Sequence, residues 1–194
     1  MKKISAIFVA ALLCMSAFAQ NKEYKTSYFG IKSNGLIDNT TSIQKAIDWI
    51  AEKGGGTLTF SVGRYLTGAV YLRSGVNIRL DAAADIIGSG NIHDYNGEKA
   101  IFNGIGVENV TIYATRGNGV IDGRADLVQQ SYADQKSKGY ISDATPLPAL
   151  LYFKDCKNIK LKKVLYRNPA SEGEWYISEN SSVSAEGCFT DTRK

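Results

Sequence analysis

One histidine and nineteen acidic side chains are what this 194-residue chain offers for proton-transfer chemistry. His93 lies in GSGNIHDYNG, a stretch of turn-forming residues that reads as a surface loop, so its imidazole is expected to be solvated and not catalytic. No two aspartates are adjacent anywhere in the chain. Asp122 sits in GVIDG, where an aspartate normally bonds the amides of its own turn. Asp126, Asp134 and Asp143 belong to the long polar segment RADLVQQSYADQKSKGYISDATPLP, and Asp155 lies just beyond it; the segment reads as a solvated insertion. No His/Cys spacing fits a transition metal. No set of carboxylates with a neighbouring basic residue fits a calcium-assisted proton abstraction. Gly54-Gly55-Gly56 lacks the Lys-Ser/Thr of a phosphate loop and follows a helix instead of opening one. The residues therefore assign no catalytic, cofactor-binding or metal-binding position, and no cofactor is expected.

The elements that would have to position any chemistry are clearer. MKKISAIFVAALLCMSAFAQ has a basic start at Lys2 and Lys3, a short apolar run and an Ala17-Phe18-Ala19 site. It reads as a secretory signal peptide cleaved after Ala19, too short to span a bilayer, and implies a secreted or periplasmic protein with no membrane span. Removing it lowers the net charge from +4 to +2, too mild a balance to point to nucleic acid. Of three cysteines, Cys156 and Cys188 remain. They read as one core thiol and one tail thiol, with a disulfide between them as the alternative. Thr41 and Gln44 form a capping box, and Ile43, Ala46, Ile47, Ile50 and Ala51 make the stripe of a one-sided helix that stops at Gly54.

After Gly56 the period changes to short β-branched and aromatic strands separated by Gly, Asn and Asp. AVYL–SGVNIRL–DIIGS, AIFN–GVENVTI–GVIDG and LLYF–DCKNIKL–KVLY are three cycles of one pattern. Asn77, Asn109 and Asn158 each precede an apolar-x-apolar strand, and are expected to stack at one bend with their amides bonded from coil to coil. Cycles of this kind cannot bury their own faces and must stack, which gives an all-β right-handed parallel β-helix with one amino-terminal capping helix.

FGIKSNGLIDNTTSIQKAI, GGGTLTFSVGRYLTGAVYLRSGVNIRLDAAADIIGS and VENVTIYATRGNGVIDG resemble the amino-terminal half of the polygalacturonase-like enzymes, glycoside hydrolase family 28. CKNIKLKKVLYRNP resembles the coil that follows, so the match covers about residues 28 to 169. The resemblance implies a right-handed parallel β-helix and inverting cleavage of pectic polysaccharide. Asn39 stands where the family usually has an aspartate, and Ser61-Val62 where it often has Pro-Ala; both read as scaffold changes. The family's catalytic groups lie in Asn-Thr-Asp, Asp-Asp, Gly-His-Gly and Arg-Ile-Lys segments, and none occurs here. Tyr132, Tyr140 and the lysines of the long insertion would lie beside the groove.

The expected organisation is a signal peptide (1–19), an amino-terminal segment with its helix (20–56), β-helix coils (57–169) with a loop at about 124–148, and a polar tail (170–194) outside the repeat. Three functions follow. The first is the amino-terminal portion of an exported pectin hydrolase, inactive alone. The second is a non-enzymatic β-helix that binds acidic polysaccharide. The third is a small lyase or epimerase. Self-association through an uncapped carboxy-terminal edge is expected for any of them.

Overall fold

The computed structural model describes residues 22–116, 119–172 and 175–191. The expected signal peptide lies outside the described residues. Strand β1 (Glu23–Lys25), a 3₁₀ turn (Thr26–Phe29), β2 (Asn34–Asp38) and helix α1 (Thr40–Glu52) come first. Three strands per cycle then recur. They are β3 (Gly56–Phe60), β4 (Gly63–Thr67) and β5 (Val70–Tyr71), then β6 (Val76–Leu80), β7 (Ala84–Gly88) and β8 (Ala100–Ile105). The next cycle is β9 (Glu108–Ala114), β10 (Val120–Asp122) and β11 (Ala149–Lys154). It is followed by β12 (Lys157–Lys162), β13 (Leu165–Arg167) and β14 (Tyr176–Glu179), and then by β15 (Val183–Glu186) and β16 (Phe189–Asp191).

Each strand pairs with its counterpart one cycle away, always parallel. The first sheet runs β1-β3-β6-β9-β12-β15, the second β2-β4-β7-β10-β13-β16 and the third β5-β8-β11-β14. This is a right-handed parallel β-helix. Alternation supplies the core: Leu58, Ile78, Ile112 and Leu161 stand in register along the first sheet and are fully buried. Each contributes about 1.5–3 kcal/mol by leaving water. No helix among the described residues is long and apolar enough to cross a membrane.

Helix α1 closes the first end of this core with Ile43, Ala46, Ile47 and Ile50. The expected Thr41–Gln44 capping box does not form. The helix begins two residues earlier, behind Asn39, and the Thr40 amide donates to Asp38 Oδ1 at 2.9 Å. Gln44 is drawn instead to the exposed edge of β5: it accepts from the Tyr71 amide at 2.6 Å and donates to the Tyr71 carbonyl at 3.2 Å. A side-chain amide thus supplies the pairing that a neighbouring strand would give. Asn39 is buried and saturated. It accepts from the Lys32 amide at 2.7 Å and donates to the carbonyls of Lys32, Ile37 and Leu66 at 2.9–3.3 Å. A carboxylate could not donate to any of these, so this departure from the family pattern is not neutral here.

The asparagine column is corrected at its first rung. Asn158 Nδ2 does donate to Asn109 Oδ1 at 2.7 Å, and both residues have left-handed backbones, with φ of 53° and 59°. The Ile78–Ile112 register, however, sets Gly75 (φ 73°) against Asn109. Asn77 lies two residues further on, in β6, and its Oδ1 accepts from the Thr111 amide at 2.8 Å. The shared requirement is a left-handed bend, which Gly and Asn both meet, and not the amide itself.

Two regions of the expected organisation also change. The loop at 124–148 contains a second helix, α2 (Ala125–Ser137), of which Val128 alone is buried. Residues 176–191, expected to be a tail outside the repeat, add β14, β15 and β16 in the same register as the earlier coils. There Ser181 and Ser182 replace the asparagine signal, accepting from the amides of Cys156 and Asn158 at 2.9 and 2.8 Å. Cys156 is buried, Cys188 is partly buried, and both are free thiols.

Candidate functional site

The third sheet carries aromatic and charged side chains on one face, and the longest connections of the described chain rise beside it. Tyr71, Asn103, Tyr152 and Ile177 stand in register across β5, β8, β11 and β14, and Ile105, Lys154 and Glu179 form the next column outward on the same face. Glu98 and Lys99 enter this face just ahead of β8. The Tyr71 hydroxyl donates to the Glu98 carboxylate. Lys99 Nζ reaches Glu179 Oε1 at 2.8 Å and lies 4.6 Å from the centroid of the Tyr152 ring.

These contacts set the charge states. The hydrogen bond to Glu98, then burial, pushes the Tyr71 phenol up to about 12. The hydrogen bond from Lys99 holds Glu179 below the usual carboxylate range, and the same bond raises Lys99. The face therefore presents the partly exposed Tyr71 ring, the Lys99 and Lys154 ammonium groups and carboxylates already engaged by donors, while Tyr152, 5% exposed, lies beneath Lys99. Such a surface can stack sugar rings and pair with acidic groups.

A second charged group lies on the neighbouring sheet. Asp122, 8% exposed, accepts from Arg167 Nε at 2.9 Å, Asn168 Nδ2 at 3.1 Å and the Arg124 amide at 2.9 Å. The expected turn role of Asp122 is what the structure shows. Asp85 lies 3.7 Å from Arg167 and 3.9 Å from Arg64; burial raises its carboxyl above the usual range, and its Oδ1 has no hydrogen-bond partner among the described residues.

The other acidic candidates are scattered. Asp126 is in the first turn of α2, Asp134 pairs with Lys138 at 2.7 Å, Asp143 pairs with Lys136, and Asp155 holds a left-handed corner (φ 54°). His93 bonds Gln135 Oε1 at 2.9 Å, and the Ile92 amide donates to Ser131 Oγ, so the two insertions form one lobe. Tyr132 packs against the core and Tyr140 is exposed. Tyr71, Glu98, Lys99, Tyr152 and Glu179 were not singled out by the sequence. The strands AVYL and LLYF carried the tyrosines at the same third place, but AIFN has Phe102 there, and only a one-residue offset brings Asn103 between them.

A Parabacteroides merdae structure, provisionally assigned as a glycosyl hydrolase, matches 88% of this chain and 75% of its own at 35% identity and a TM-score of 0.82. The Family 28 exopolygalacturonase of Yersinia enterocolitica matches 89% of this chain at 21% identity and a TM-score of 0.76, and the chain covers 39% of it. Among curated proteins, the exo-poly-alpha-D-galacturonosidase of Dickeya chrysanthemi is 36% identical over 74 residues and the alpha-1,3-galactosidase B of Bacteroides thetaiotaomicron 39% over 61. The matched segments span 12% and 10% of those two relatives. No protein-family model matches the chain. The chain is related over most of its length to the glycosyl hydrolase assigned in Parabacteroides merdae, and it shares the β-helix fold of the polygalacturonase-like enzymes.

Proposed function

We propose that this chain is the amino-terminal, polysaccharide-binding portion of an exported polygalacturonase-like hydrolase, and that it does not cleave pectic polysaccharide by itself. One observation carries the reading: both carboxylates on the third-sheet face are held by donors, Glu98 by Tyr71 and Glu179 by Lys99. Inverting hydrolysis needs one carboxyl group kept protonated across the bond from one that activates water. The raised carboxyl, Asp85, stands on the second sheet between two arginines. The names of the relatives, a galacturonosidase and an exopolygalacturonase, support pectic substrate.

Titration with oligogalacturonate is expected to saturate while no new reducing ends accumulate. Release of reducing ends above the buffer rate by the purified chain would overturn the proposal. Lys99→Ala removes a cation from the face and is expected to weaken binding about tenfold. Export belongs to the same proposal, and amino-terminal sequencing of the protein recovered outside the cytoplasm should begin at Gln20. Self-association belongs to it too. Strands β14, β15 and β16 each have one paired edge among the described residues, and Phe189 there is 61% exposed. Sedimentation should show association that rises with concentration and falls in Phe189→Lys.

A further inference from the structure

The outer side of the cap carries a second aromatic surface that the third-sheet site does not use. Tyr24, Tyr28, Phe29, Lys45 and Trp49 line an open depression of about 400 Å³, within the roughly 300–1,000 Å³ range of small-molecule sites. Tyr28 is 70% exposed and Trp49 is 40% exposed, two large rings side by side on the surface. Trp49 is held in place by edge contacts to Tyr24 at 5.3 Å and Phe29 at 5.7 Å between ring centroids. The indole is therefore fixed before any ligand arrives.

Charge says what would sit on it. Lys45 and Trp49 stand at i and i+4 on α1 and Lys53 caps its carboxy-terminal end at i+8, so a lysine lies one turn to either side of the indole. Lys53 Nζ is 5.4 Å from the Trp49 ring centroid. Neither lysine forms an ion pair among the described residues, whereas the nearby Asp48 is taken by Arg73 at 2.8 Å. No acidic side chain lines the depression. Rings that stack the apolar face of a pyranose, with free cations at their rim, suit a sugar bearing a carboxylate.

We infer that the cap is a second binding site for acidic oligosaccharide, with Tyr28 and Trp49 as the stacking platform and Lys45 as the carboxylate partner. The inference rests on the polysaccharide reading above and adds a site remote from the third-sheet face. Its place on the cap suits it to hold a polymer strand while another segment occupies the sheet.

The test uses the full chain, trigalacturonate as probe, and galactotriose as the neutral control. Calorimetry of the unaltered protein should give two sites for trigalacturonate. Lys45→Glu and, separately, Tyr28→Ala should abolish one of them, with affinity there falling at least about tenfold, while the other site persists. Tyr28 is exposed enough for its removal to leave the fold intact, and an unchanged melting transition would verify this. Lys99→Ala should do the reverse. A single site that survives both cap variants overturns the inference and leaves the sheet-face reading standing. No binding at either site sinks both. Equal response to galactotriose overturns the assignment to acidic sugar. A change in sedimentation of Tyr28→Ala with no change in sugar binding marks the surface as a contact between copies and overturns the inference as well.

Discussion

Two hydrogen bonds on the third sheet shift side chains that titrate at opposite ends of the pH scale. Tyr71 is raised to about 12 mainly by its bond to Glu98. A raised group stabilises the fold fully below its unfolded value, 10.0 here, and that contribution is lost as pH climbs towards about 12. Phenolate absorbance should therefore show a late-titrating tyrosine that moves towards 10 in Glu98→Gln. Glu179 is the opposite case. Its carboxyl is depressed, so its contribution is present above its unfolded value and disappears as pH falls through the folded one. In Lys99→Ala the Glu179 midpoint, followed by carboxyl carbon chemical shift, should rise back towards 4.5. If it does not move, the Lys99 contact is not what holds it.

At the scale of elements, the bends and the lid carry more than their size suggests. Asn39 satisfies four backbone groups, so Asn39→Ala leaves buried partners unbonded and should cost about 1–3 kcal/mol in chemical denaturation. Asn109 holds a left-handed corner and accepts from Asn158. Asn109→Ala should cost about 1–2 kcal/mol, whereas Asn109→Gly, which tolerates the backbone, should cost less. Ile112→Ala removes one rung of the aliphatic column and should cost about 2–5 kcal/mol. Helix α1 was legible because its stripe is local and strongly one-sided. Helix α2 was not, because only Val128 is buried and its ties reach the His93 segment and Ala170, each some 40 residues away in sequence.

Across the whole molecule, stacking converts distance in sequence into adjacency. Lys99 and Glu179 are 80 residues apart along the chain and 2.8 Å apart in space. The repeat pattern announced that coils stack, and the resemblance named the family, because alternation, turn residues and a helical stripe are written in consecutive residues. Register is not written that way. It follows from which backbone positions turn left-handed, and residue type alone placed Asn77 where Gly75 belongs. Nor did the apolar pattern mark β14 to β16, whose outermost strands bury little and are held by backbone pairing and serine bonds. The sequence by itself determined the solenoid, its lid and its lineage, since local periodicity dictates which faces must be covered. Only the tertiary structure decided which rings and charges share a surface, because a parallel stack sets neighbours by coil-to-coil registration and not by order along the chain.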